Sequence, residues 1–125
     1  MLIGPINSGA AVGGAGVATA TGSSTQVITG LVYQVVIKYN DAPPAATTVV
    51  TIKTKGTAPA APSSNILVVT NSATNASYQP RFDSHKTDAT ALVTNTGLPP
   101  VEDIIQVVIA GADAADNVDV WLYLL

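Results

Sequence analysis

The segment Asp83-Ser84-His85-Lys86-Thr87-Asp88 sets the chain's single His between two carboxylates and beside a Ser. Two chemistries use such groups. A hydrolytic centre needs a nucleophile, a base and a group that orients the base, all converging in space. Ser84 and His85 are neighbours, and neighbours on a strand point to opposite faces, so the pattern argues against catalysis. A metal is the second option, with Asp83, His85 and Asp88 as ligands, but a closed site needs further partners. The plain alternative is a polar loop in which His85 makes a hydrogen bond. A small hydrolase around His85 therefore ranks last among the functional readings, and the chain is read as carrying no catalytic residue, cofactor or metal.

Asp113, Asp116 and Asp119 have the look of a calcium loop. The calcium pattern requires a Gly at its sharp turn and a closing bidentate Glu, and neither is placed correctly. A solvated turn fits better. Asn75-Ala76-Ser77 has the form of a glycosylation sequon, which has meaning in a secreted eukaryotic chain. The glycines in Ser8 to Gly16 do not make the G-x-G-x-x-G phosphate fingerprint. Tyr78, Phe82, Trp121 and Tyr123 could form a sugar-binding platform. Aromatics are also enriched in cores and at interfaces, and these four are read as core or subunit-interface residues.

Composition removes other classes. With no Cys among 125 residues, disulfide scaffolds, thiolate zinc sites and Cys nucleophiles are excluded. A net charge of -3 without a basic run argues against nucleic acid. No stretch approaches the ~20 apolar residues of a spanning helix, and no membrane partner is expected. The first residues lack a basic stretch and their apolar run is broken by Gly, so no signal peptide is expected. Charged residues make up 10% of the chain, against about 25% in ordinary soluble domains. Such a surface suits a subunit covered by neighbours better than a free monomer.

The elements that must position these residues read as strands. Short runs rich in Val, Thr and Ile cover 17–21, 27–39, 47–54, 66–70, 77–83, 91–93, 103–110 and 118–124, with Gly30 as a bulge or break. Pro80 favours an edge or bulge. Loops are expected at 40–44, 57–64, 71–75, 95–100 and 111–116, from their Pro, Gly, Asn, Asp and Ser content. In the last strand Val118, Val120, Leu122 and Leu124 share one face, and Asp119, Trp121 and Tyr123 the other. About eight strands at this spacing predict an all-β antiparallel sandwich, jelly-roll-like, with little or no helix.

Residues 1–24 are read as an extended N-terminal arm outside a β-sandwich domain at 25–125. The first charged side chain is Lys38, and Ser8 to Gly16 is built from Gly, Ala, Ser and one Val. Such a segment offers little to offset its own ordering entropy. Another protein surface is expected to order it, with Leu2, Ile3, Ile6 and Val12 as apolar anchors.

Three stretches carry a resemblance. Thr48 to Thr54 with the Pro-rich loop and Ile66 to Ser72, then Tyr78 to His85, and the closing Val118 to Leu124 resemble a group of short tailed-phage structural proteins. Over about residues 31 to 125 the chain is similar to capsid decoration, or cement, proteins with a jelly-roll-like β-sandwich; the neutral arm lies outside the match. The resemblance implies a homo-oligomer, dimer or trimer, on the outer capsid surface of a virion, bridging and stabilising major capsid protein subunits. The competing reading is a carbohydrate- or receptor-binding β-sandwich of a phage tail or fibre, using Trp121 and Tyr78.

Overall fold

Alternation in β10 (Ile105–Ala112) and β11 (Val118–Leu124) shows how the core is made. Ile105, Val107 and Ile109 of β10 are buried, as are Val118, Val120, Leu122 and Leu124 of β11, while the residues between them face outward. Strand side chains alternate, so each strand gives one apolar face to the interior. In a computed structural model the described residues are 1–40, 45–57, 64–71, 74–85, 87–89 and 91–125, with the backbone alone for 83–85 and 91–95.

These residues form eleven strands and no helix. The remaining nine are β1 (Leu2–Asn7), β2 (Ala18–Ser23), β3 (Ile28–Tyr39), β4 (Val49–Thr54), β5 (Asn65–Val69), β6 (Ala76–Tyr78), β7 (Phe82–His85), β8 (Ala91–Gly97) and β9 (Pro100–Asp103). One sheet has the order β1-β11-β3-β6, with β9 paired to the first part of β3; the other is β2-β10-β4-β5; β7 and β8 pair as a separate ribbon. Every pairing is antiparallel. The protein is an all-β antiparallel sandwich.

The pairs are nested. β4 pairs with β5, β3 with β6, β2 with β10 and β1 with β11. The chain is thus one long antiparallel ribbon, with β4 and β5 as its innermost pair, rolled so that successive pairs fall alternately in the two sheets. This is the jelly-roll interleaving. Seven of the eight expected strands fall on this ribbon, as β2, β3, β4, β5, β6, β10 and β11; the eighth, at 91–93, falls in β8, and β1 was not expected as a strand. The three additional short strands, β7, β8 and β9, lie between β6 and β10. The expected strand at 77–83 is divided into β6 and β7 around the buried Pro80, and the expected loop at 95–100 includes the end of β8 and the start of β9.

The N-terminal segment departs from expectation. Residues 2–7 are not an arm beside the sandwich but an edge strand of it, with Ile3 opposite Leu122 and Ile6 opposite Val120. Residues 18–23 are an edge strand of the other sheet, with Thr21 opposite Val108. Between them, Ala11 N–H donates to Asp116 O at 2.8 Å and Ala115 N–H to Ala11 O at 2.8 Å. Met1 and Leu124 also exchange backbone bonds, Leu124 N–H to Met1 O at 2.7 Å and the terminal amine to Leu124 O at 2.6 Å. A Gly- and Ala-rich chain gains order here because the C-terminal strands supply its backbone partners. Small side chains let it approach closely: a Cβ on Gly22 would lie 1.8 Å from Asn7 O.

Candidate functional site

The polar segment around His85 falls on β7 and the turn after it. β7 holds Ser84 opposite Leu92 and His85 opposite Ala91. The side chains of Asp83, Ser84 and His85, and the whole of Lys86, lie outside the described residues. Among the described residues no group of three or more His, Cys, Asp or Glu is placed to hold a metal. Of the expected loops at 40–44, 57–64 and 71–75, residues 41–44, 58–63 and 72–73 also lie outside the described residues.

The acidic turn is occupied by its own backbone. Asp116, buried, accepts a hydrogen bond from Asp113 N–H at 3.0 Å, and Asp113 Oδ1 accepts one from Gly16 N–H at 2.8 Å. Asp119 Oδ1 accepts one from Asn7 Nδ2 at 2.8 Å, and the same amide donates to Asn117 Oδ1 at 3.0 Å. These groups fasten the start of the chain to the turn between β10 and β11. Asp103 performs a similar task elsewhere. It is buried, and it accepts bonds from Thr57 Oγ1, from Gly56 N–H at 2.6 Å, from Ile104 N–H at 2.7 Å and from Thr57 N–H. The Thr57 hydroxyl, helped by the backbone N–H groups and opposed by burial, holds its carboxyl below the ordinary aspartate value.

The four sequence-selected aromatics do not come together. Trp121 stands opposite Val36, and Val36 opposite Ser77, so these three share the outer face of the β11 sheet. Tyr78 is the next residue after Ser77 and stands opposite the buried Val35, and it packs on the core. Trp121 and Tyr78 are therefore on opposite faces. Phe82, half-buried, begins β7 opposite Gly97. Only Trp121 and Tyr123 share the outer face, as their spacing of two residues requires.

A third aromatic, Tyr33, joins them there and was not singled out by the sequence reading. Leu124 stands opposite Val32 and Tyr123 opposite Gln34, which leaves Tyr33 as the extra residue of a bulge. Its ring lies 5.9 Å from that of Tyr123, tilted by 55°. The bulge shows in the structure as a phase change, with buried Val32 followed by buried Val35 and Ile37; the sequence hides it, because Val35, Val36 and Ile37 are all apolar. Trp121 has its own device. Gly4, at a φ of 128° in the bulge of β1, would place a Cβ 3.2 Å from the indole Cδ1. Without that Cβ the indole lies close over the β1 backbone.

The proposed arm anchors separate in the same way. Ile6 is 5% exposed and Ile3 packs on the core, both inside the chain's own sandwich. Leu2 and Val12 remain 53% and 80% exposed. Leu2 stands opposite Tyr123 and extends the aromatic face.

The outer face of the β10 sheet differs in character. Thr21, Val108, Thr51 and Val68 form one row across it, and Ser23, Gln106, Lys53 and Asn65 the next. Ala110 and Val49 form a third. Lys53 is the only charged residue in these rows.

No protein-family model, no curated protein and no solved structure matches the chain.

Proposed function

We propose that this chain is a virion structural protein, a capsid decoration or cement subunit that sits on the outer capsid surface. It bridges and stabilises major capsid protein subunits and associates with itself. The observation that carries the reading is the outer face of the β10 sheet, with one charged residue in three rows of Thr, Val, Ala and polar neutral side chains. A sheet face of this kind can be covered without desolvating many charges, which would be costly. The resemblance of residues 31 to 125 to tailed-phage structural proteins points the same way. In this reading the protein needs no catalytic group; it requires area buried against several neighbours.

Because Leu2–Asn7 is built into the chain's own sheet, attachment is assigned to the sheet face and not to a free arm. A receptor-binding module that uses Trp121 and Tyr78 together is disfavoured, since the two project from opposite sides of one sheet. The test is particle stability. Virions assembled without this chain should release their genome at lower temperature, and adding the purified protein back should restore the loss. Unchanged heat resistance without the chain would count against the proposal.

A further inference from the structure

We infer that the outer face of the β11 sheet is a binding site for neutral pyranose chains, with Trp121 as its platform. The site is on the opposite side of the sandwich from the face assigned to the capsid, and neither reading depends on the other.

Three observations carry it. First, the only Trp of the chain is spent on a sheet exterior while the core is built from Ile, Val and Leu. It is half-buried, with its Cδ1 against the Gly4 position of β1 and Val36 of β3 opposite it. Second, Tyr123 is two positions along β11, about 6.6 Å by strand rise, and Tyr33 stands beside it. Aromatic side chains set two strand positions apart can meet successive sugar rings, whose C–H faces are apolar. Third, the next row of the same face is polar and fixed. Asn7 stands opposite Asp119, and Asp119 opposite Lys38. The Asn7 amide already holds the Asp119 carboxylate at 2.8 Å, and a carboxylate has room for further donors.

Aromatic stacking beside an oriented acceptor and an ammonium donor is the chemistry that recognises sugar hydroxyls. A protein partner fits less well, because interface cores are depleted in charged residues and this row adjoins the aromatics directly. A polyanionic ligand fits less well still, because Asp119 would oppose it.

The single Trp makes the test direct, since tryptophan emission, excited apart from the tyrosines, reports this face alone. Maltohexaose, cellohexaose and chitohexaose would each be titrated into the full chain, followed by fluorescence and calorimetry. At least one should shift the emission saturably. Trp121→Ala should weaken that binding by about tenfold or more by calorimetry. Val68→Ala, on the other outer face, should leave it unchanged. No saturable response to any of the three sugars overturns the inference. So does equal weakening by Val68→Ala. An emission shift that follows protein concentration alone also overturns it, since a second copy would then be the occupant.

Discussion

The carbonyl oxygen of Asn7 lies over Gly22, so near that a Cβ on Gly22 would come within 1.8 Å of it. Asn7 ends β1 and Gly22 is in β2, the edge strands of the two sheets, so this contact closes one corner of the sandwich. The neighbouring atoms are also backbone, Asn7 C at 2.8 Å and Ser8 Cα at 2.9 Å, and no rotamer change can relieve the clash. Gly22→Ala should cost on the order of 1–3 kcal/mol, the usual cost of overpacking. Gly97→Ala, which would meet nothing within 4 Å, should stay within about 0.5 kcal/mol. Urea midpoints of the two variants check this.

Ile6 and Val12 distinguish a built-in strand from an arm that waits for a partner. Ile6 is a core residue of the isolated chain, so Ile6→Ala should cost about 2–4 kcal/mol in the purified protein. Val12→Ala should change stability by less than about 0.5 kcal/mol. Equal, small effects would mean that the first strand is not packed in the free protein. Hydrogen exchange gives a second check: the Ser8 amide, bonded to Val118 O at 3.1 Å, should exchange slowly without any partner present.

Asp103 should shape the acid limb of stability. Its folded-state carboxyl titrates below the ordinary value of 3.8, which is also the reference for the unfolded chain. Its ionised form therefore contributes stability in full above that value, and the contribution is lost as pH falls below it. Asp103→Asn should lower stability at neutral pH and flatten the dependence below pH 3.8, since no carboxylate is left there to protonate. Denaturant midpoints of both proteins across the acid range test this. A variant as acid-sensitive as the parent would contradict it.

The strands of the interior were legible because alternation is written directly into them, of Ile and Val in 105–109 and of Val and Leu in 118–124. Residues 18–23 were legible as a strand, expected at 17–21, but neither they nor residues 2–7 were legible as part of the sandwich: Gly4 and Pro5 break the apolar run in 2–7, and Ala and Thr carry little apolar signal in 18–23. Their order comes from strand partners more than eighty residues away, as with Leu2 opposite Tyr123 and Ser23 opposite Gln106. The outer aromatic face was half legible. The spacing of Trp121 and Tyr123 placed them together, but Tyr33 arrives through a bulge and Tyr78 is placed inward by its register with Val35. Register between distant strands is a tertiary property, and a one-residue shift moves a side chain to the other face.

Copy number in the particle tests the proposed function most directly. Virions purified from the infected host would be analysed by quantitative mass spectrometry, with this chain measured against the major capsid protein. The cement reading predicts a stoichiometry of the same order as that of the major capsid protein. Absence from the virion, or a few copies per particle, would contradict it.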